Sequence, residues 1–154
     1  MNTTSNTPGP TPLQTDLALL AIRLAGAATF LYHGSAILFG AFGGPGLHGF
    51  SAFTHMPLAV AFLVGLAQFA GGLAFLTGVL TRLGGVSIAI VMLGAILLVH
   101  LPKGFDITKG GYEYALAQFL IAVALTIAGA GRYSLAALLP RSAVAPTKTV
   151  GTTA

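Results

Sequence analysis

Four apolar segments, separated by short polar or glycine-rich stretches, organise the chain. They cover residues 17–39, 58–80, 83–101 and 112–130. Each is close to the roughly 20 residues that an α-helix needs to cross about 30 Å of hydrocarbon. Backbone polar groups in lipid must be satisfied within the segment, which only a helix achieves at this length. The pattern therefore predicts an all-α fold, an integral membrane four-helix bundle.

The ends of these segments carry ordinary helix signals. Thr15 and Asp16 are expected to cap the first helix, and Pro57 stands where the second should begin. Only Thr81 and Arg82 separate the second and third segments, so those helices are expected to be antiparallel neighbours. Residues 1–15 and 140–154 are polar tails predicted to be disordered, and residues 16–139 form the membrane domain.

Composition places the protein in the lipid bilayer. Hydrophobic residues make up 55% of the 154 residues and charged residues only 6%. A soluble domain would carry roughly a quarter charged residues. The absence of cysteine excludes disulfides, thiolate metal ligands and a cysteine nucleophile. The few basic residues do not form an aromatic-interleaved face, so we expect no nucleic-acid partner.

Basic residues near the segment ends predict the orientation in the membrane. Four of them lie on the side of the amino terminus, and Lys103 and Lys109 lie on the other. The positive-inside rule therefore places both termini in the cytoplasm. The four are Arg82, Arg132, Arg141 and Lys148.

The stretch over residues 40–57 faces outward in this orientation. It combines glycines with Phe42, Phe50 and Phe53, which makes it too apolar for a freely solvated linker. We expect it to fold back onto the mouth of the bundle, although a simple interfacial loop is the alternative. Its two histidines, His48 and His55, are expected to be exposed.

A short repeated sequence suggests that the bundle consists of two similar helix pairs. Residues 66–69 read LAQF, as do residues 116–119, and an arginine follows each at the same distance, Arg82 and Arg132. The first and third segments each carry a histidine toward the outer end, His33 and His100. A pseudo-two-fold axis along the membrane normal would follow. Chance similarity in an Ala/Leu-rich chain is the alternative.

Six polar residues in or beside the apolar segments are candidates for chemistry, because such groups need partners or a wet or ligand-filled cavity in hydrocarbon. They are Arg23, His33, Gln68, His100, Glu113 and Gln118. Each also has a structural alternative. His33 would bond a backbone carbonyl or Glu113, the glutamines would join helices, and Arg23 would snorkel or stabilise the fold.

Several motifs between about residues 19 and 139 occur in a characteristic order. The first half has Arg23, then His33-Gly34, the glycine-rich GAFGGPG at 40–46, Gly78 with Thr81-Arg82, and Met92. The second half has His100, Gly104-Phe105, GYEY at 111–114 and GAGRYSL at 129–135. In this ordered series the chain resembles the DoxX family of small four-helix membrane proteins.

The resemblance implies a multi-pass protein of the bacterial inner membrane in a redox setting. The family is associated with quinone-reducing thiosulfate oxidoreductases, although some relatives look like assembly or trafficking factors. This chain departs from the family pattern at three positions. Ile37 replaces a common lysine, Gln68 a common glutamate and Ala136 a common aspartate. If that glutamate pairs with the arginine, Arg23 faces a neutral Gln68 here, which puts proton transfer there in doubt.

The leading hypothesis is a membrane subunit of a redox complex that binds a quinone-like molecule near the outer mouth. His33, His100 and Glu113 would handle its oxygens or protons, because imidazole titrates near ambient pH. Arg23, Gln68 and Gln118 would lie deeper, and the ligand would pack on aromatic rings, namely Phe30, Phe69 and Phe119. The sequence has no flavin, iron–sulfur or nucleotide motif, so a complete enzyme would obtain its redox centre from a partner or from a bound cofactor.

Three alternatives remain. His33 and His100 as paired axial ligands of a b-type haem would suit a bundle, although their unequal depth argues against it. A non-catalytic scaffold or assembly factor for a partner protein explains the missing lysine and glutamate. A transporter has weaker support, since there is no broken helix interior or midplane carboxylate.

Overall fold

The computed structural model describes residues 9–138, and all regular secondary structure within them is helical. Five α-helices follow one another as α1 (Pro12–Phe39), α2 (Gly46–Thr54), α3 (Leu58–Thr77), α4 (Thr81–Ala95) and α5 (Glu113–Ala128). A π-helical turn over Ile96–His100 extends α4. The predicted all-α bundle is confirmed. Residues 1–8 of the first predicted tail and the whole of the second, with Arg141 and Lys148, lie outside the described residues.

Three stretches are long and apolar enough to cross a membrane, namely Pro12–Phe39, Leu58–Thr77 and Thr81–Lys103. These agree with the first three predicted spans and make the chain an integral membrane protein. The fourth, α5, is apolar but has only 16 residues. It is shorter than the predicted 112–130 because Gly129, with φ of +81°, ends the helix at Ala128.

The start of α1 differs from the prediction. Thr11 is the N-cap: its side chain accepts from the Gln14 N–H, and the Gln14 Oε1 accepts in turn from the Thr11 N–H. Because of this reciprocal capping box and of Pro12 at the first helical position, the helix begins at Pro12 and not at the predicted caps Thr15 and Asp16. Asp16 instead accepts a 2.9 Å hydrogen bond from the Arg132 N–H, which places the start of α1 beside the segment after α5.

The stretch over residues 40–57 folds back on the bundle, as predicted, but it contains a helix that the prediction lacked. Helix α2 packs against α1 and α3, and the Phe42 ring stacks on Tyr32 with centroids 5.0 Å apart. The nine residues of α2 include two glycines, whose low helix propensity hid the element. His48 and His55 are exposed, as expected.

The bundle is built from two helix pairs, α1 with α3 and α4 with α5, and α3 also packs on α4. This pairing agrees with the predicted pair architecture. Glycines let the helices approach closely at two pairs, Gly71-Gly72 and Gly84-Gly85. A Cβ at Gly72 would lie 2.8 Å from the Leu31 nitrogen, and one at Gly85 would lie 2.8 Å from the Ala122 oxygen. The central core is Ala27, Phe30, Phe75, Ile88, Ala122 and Leu125.

Candidate functional site

A cavity of about 260 Å³ lies where the two helix pairs meet. It is near the carboxyl ends of α1 and α4 and the amino end of α5, which we name the histidine end. The opposite end, with Arg23, Arg82 and Arg132, is the arginine end. The wall of the cavity is formed by Thr29, Phe30, His33, Gln68, Met92, Ala95, His100, Ile107, Gly110, Gly111, Tyr114, Ala115 and Gln118.

Four of the predicted site residues meet at this cavity. His33 comes from α1, Gln68 from α3, His100 from the π-helical turn and Gln118 from α5. We name these four the cavity quartet. The two glutamines are buried, with 6% and 7% of their surfaces exposed, whereas His33 is exposed on the isolated chain. Each helix pair thus supplies one histidine and one glutamine, which agrees with the predicted repeat.

The π-helical turn positions His100. Such a turn inserts one extra residue per turn and changes the direction in which the following side chains point. The Nδ1 atom of His100 lies 2.7 Å from the carbonyl oxygen of Gly110, in the connection to α5. The sequence had suggested a backbone carbonyl partner for His33, but the structure gives this partner to His100.

Gln118 carries a side-chain oxygen that is buried in the wall without a hydrogen-bond partner among residues 9–138. Its Oε1 atom is enclosed and accepts no hydrogen bond from the described part of the chain. A buried acceptor without a donor costs roughly 1–3 kcal/mol of stability. The interhelical bond expected of this glutamine is therefore not formed through Oε1, and the side chain is available to a donor in the cavity.

Two hydroxyl residues of the wall were not predicted. Thr29 Oγ1 and the Tyr114 hydroxyl lie 3.2 Å apart and join α1 to α5 across the cavity. Both could have been found from helical spacing. Thr29 precedes His33 by four residues, and Tyr114 precedes Gln118 by four, so each shares a helix face with a residue of the cavity quartet.

Arg23 is not part of the cavity. It lies ten residues before His33, about 15 Å along the helix. The side chain is 1% exposed, so it does not snorkel. Its guanidinium donates to four carbonyl oxygens, of Phe75 and Leu76 at the end of α3, and of Ala130 and Tyr133 after α5. Arg23 stabilises the fold at the arginine end.

The suggested pairing between Arg23 and position 68 is also corrected. The carbonyls that Arg23 binds in α3 lie seven and eight residues beyond Gln68. At 1.5 Å per residue this is roughly 10 Å along the helix, too far for a direct contact. The N–H groups of Arg23 are satisfied by backbone carbonyls, so the neutral side chain at Gln68 does not deprive Arg23 of a partner.

Glu113 lies outside the cavity wall. It is exposed at the start of α5, and its carboxylate accepts a 3.2 Å hydrogen bond from the Ile107 N–H. Asp106 supports the same connection, because its carboxylate accepts from the hydroxyl and the N–H of Thr108, which holds the Asp106 pKa below its usual value. Both acids order the segment that carries Ile107 and Gly110 into the wall.

The remaining predicted positions divide between the cavity and the packing. Phe30 contributes to the wall, whereas Phe69 packs edge-on against Phe39, and Phe119 is not part of the wall. Ile37 is 5% exposed and would contact a Cβ at Gly65, so this departure from the family pattern lies between α1 and α3. Ala136 lies in the short helical turn Leu135–Leu138.

Within residues 9–138, no group of three or more His, Cys, Asp and Glu side chains lies close enough together to hold a metal ion.

Compared with known proteins, residues 18–101 match the family model described as DoxX. That stretch includes His33, Gln68 and His100. No curated protein and no solved structure matches the chain.

Proposed function

The chain belongs to the DoxX family, whose model covers more than half of its length, and from this membership we propose that it is a membrane subunit of a redox complex. In this proposal a quinone-like ring binds in the cavity at the histidine end, and electrons come from a partner subunit. The complex lies in the bacterial inner membrane, with the histidine end facing outward.

The observation that carries this proposal is the convergence of the cavity quartet. Each of four helices contributes one member of the quartet to the same cavity, although polar groups are costly in a bundle surrounded by lipid. A cavity of about 150 Å³ accommodates a benzene ring. The 260 Å³ found here therefore suits one substituted ring, with an isoprenoid tail outside among the lipid chains.

The residues of the wall fit such a ring chemically. Phe30 and Met92 offer apolar contacts, and the amides, hydroxyls and imidazoles can bond two ring oxygens. When bound, a quinone supplies a two-electron, two-proton couple. His33 and His100 are suited to hold or release a proton at a ring oxygen, since imidazole changes its protonation state near neutral pH. Glu113 is not assigned a role with the ligand, because it lies outside the wall.

The alternatives receive less support. A haem has four pyrrole rings and would need several times the volume of one ring, so the cavity suits it poorly. Many histidines that ligate a metal donate their second ring N–H to a backbone carbonyl, as His100 Nδ1 does to Gly110. His33 has no comparable orienting bond within residues 9–138. A non-catalytic scaffold would not need polar side chains that converge on an apolar cavity, and it remains the competing outcome of the following experiment.

The experiment is native mass spectrometry of the protein extracted gently from its own membrane with its partners. The expected spectrum contains a quinone mass and a partner subunit. His33→Ala should remove the quinone mass and at least about 90% of quinone-dependent turnover, because it removes a polar contact and leaves an apolar gap. His48→Ala is the matched control, since His48 is exposed on α2 outside the cavity.

Three results would contradict the proposal. Equal losses of quinone in both histidine variants would show that the bound quinone does not depend on a contact in the cavity. Unchanged turnover in His33→Ala would remove the redox site from this cavity. A partner subunit that is present without any quinone mass, in wild type as well as in the variants, would favour the scaffold.

A further inference from the structure

The tautomer of His100 is fixed by its surroundings. A carbonyl oxygen can only accept, so the 2.7 Å contact with Gly110 requires the His100 Nδ1 to carry the hydrogen and donate it. In the neutral imidazole the other nitrogen, Nε2, then has a lone pair and no hydrogen. His100 therefore brings an acceptor, rather than a donor, to a ligand in the cavity.

Gln118 is a second acceptor. Its Oε1 is enclosed without a donor, and 93% of the residue surface is buried, since 7% is exposed. In this orientation the amide oxygen is an acceptor without a donor, and a ligand hydroxyl that bonded it would remove the cost of an unpaired buried carbonyl.

The other polar groups of the wall do not oppose this assignment. The Thr29 and Tyr114 hydroxyls are paired with each other, which uses one of their two hydrogens, and Gln68 can donate or accept. His33 can likewise do either, depending on its tautomer. No Asp, Glu, Lys or Arg belongs to the cavity wall within residues 9–138. The two groups that the protein constrains are therefore both acceptors.

The two forms of a quinone differ in what they offer these groups. The oxygens of the oxidised ring only accept hydrogen bonds, whereas each hydroxyl of the hydroquinone donates one. We infer that the cavity favours the reduced, hydroxyl-bearing form of its ring ligand, with His100 Nε2 and Gln118 Oε1 as the acceptors. This inference rests on the proposed function. A tenfold preference for the reduced form would raise the potential of the bound two-electron couple by about 30 mV.

The test compares three probes with the same ring substituents and a decyl tail: the benzoquinone, its hydroquinone and the dimethyl ether of the hydroquinone. Their dissociation constants are measured anaerobically by calorimetry on the purified protein in nanodiscs. We expect the hydroquinone to bind about tenfold more tightly than the quinone. This ratio corresponds to about 1.4 kcal/mol, which is the net contribution of one or two hydrogen bonds. The ether, which has no donor, should bind no better than the quinone.

The outcomes separate the two proposals. If none of the probes binds, the proposed function fails. If quinone and hydroquinone bind equally, or the quinone binds more tightly, the cavity is a ring site but the inference is overturned. If the ether binds as tightly as the hydroquinone, shape rather than hydrogen bonding explains the preference, and the inference is also overturned.

Variants identify the two acceptors. His100→Asn keeps a donor near the position of Nδ1 for Gly110 and lacks the Nε2 acceptor, while Gln118→Leu removes the amide at similar volume. Each should reduce the preference for hydroquinone to about threefold or less, with the affinity for quinone little changed. Gln118→Glu retains an acceptor and should retain the preference. A full preference in both His100→Asn and Gln118→Leu, with melting temperatures near wild type, would overturn the inference.

Discussion

Arg23 illustrates how a residue that is expensive in hydrocarbon becomes part of the fold. The guanidinium has five N–H groups in a rigid fork, and four carbonyls around it come from two separate chain segments. Helix ends leave carbonyl oxygens without intrahelical partners. One side chain therefore satisfies the end of α3 and the exit of α5 together, which explains why an arginine stands here.

This arrangement predicts a large difference between two arginines at the same end. Arg23→Lys should destabilise the protein by roughly 2–4 kcal/mol, because an ammonium cannot reach four carbonyls in the geometry of the fork. Arg132→Lys, at an exposed position, should change stability by no more than about 0.5 kcal/mol. Thermal unfolding in one detergent measures both. Equal melting temperatures for the two variants would contradict the assigned role of Arg23.

Asp106 makes a local and pH-dependent prediction. Asp106→Ala should raise hydrogen exchange over residues 107–111, because the carboxylate no longer holds the Thr108 hydroxyl and N–H. The hydrogen bonds from the Thr108 hydroxyl and N–H hold the pKa of this acid below its usual range in the fold. Its stabilising effect is therefore present above the ordinary pKa of an aspartate and is lost as the pH falls through the lowered pKa. Wild-type and variant exchange, corrected for intrinsic rates, should converge in acid; a difference that persists there would contradict this account.

At the level of the helices, close approach depends on residues that lack a side chain. A Cβ at Gly34 of α1 would lie 2.5 Å from the Phe69 nitrogen and 2.7 Å from its Cα. These are backbone atoms of α3 and cannot move without moving the helix. Gly94 in α4 has nothing within 4 Å of the same hypothetical atom. The two glycines are thus alike in sequence but opposite in packing.

The corresponding alanine variants form a matched pair. Gly34→Ala should cost roughly 1–3 kcal/mol, because α1 and α3 must separate. Gly94→Ala should be neutral or stabilising by up to about 1 kcal/mol, since alanine is the better helix former and the space is open. Their melting temperatures should therefore shift in opposite directions, or only the first should shift. A larger loss for Gly94→Ala would show that the packing is described wrongly.

The helices themselves were largely predictable, because long apolar runs have few other structures in lipid. Missed features depended on contacts far apart in the sequence or on local detail. The capping box at Thr11 lay in a polar stretch that resembled a tail, and the glycines of α2 concealed a short helix. The π-helical turn that carries His100 has no sequence signal in its apolar residues.

The candidate site was predictable residue by residue but not as a set. Polar groups in apolar segments identified the cavity quartet, yet the same criterion also selected Arg23 and Glu113. Sequence position could not separate them, because it does not say which groups find partners at hand. Arg23 finds four carbonyls and Glu113 finds the Ile107 N–H, whereas Gln118 Oε1 finds no donor within residues 9–138.

For the molecule as a whole, the Asp16 bond to the Arg132 N–H shows that the start of α1 and the segment after α5 share one end. Arg82 is there as well, since its Nη2 lies 3.4 Å from the Ile127 oxygen, whereas Lys103 and Lys109 belong to the connection at the histidine end. The described basic residues thus divide between the ends as the orientation prediction requires.

The chain contains no cysteine, so single-cysteine labelling tests the orientation directly. Phe53→Cys and Leu138→Cys replace residues that are 79% and 80% exposed at opposite ends. A maleimide that cannot cross the membrane should label the first variant in intact cells, and the second only after permeabilisation. Labelling in the reverse pattern would invert the orientation and place the cavity on the cytoplasmic side.

The four hydrogen bonds of Arg23 also have a mechanical meaning. Nε and Nη2 donate hydrogen bonds to carbonyls in the last turn of α3, while Nη1 donates to the two carbonyls beyond α5. Under a force that pulls the segment after α5 away from the bundle, the two Nη1 bonds share the load instead of breaking one after another. The segment after α5 is therefore held to α3 through the side chain of Arg23, and we expect the two segments to separate in one step when the hydrogen bonds of Arg23 break.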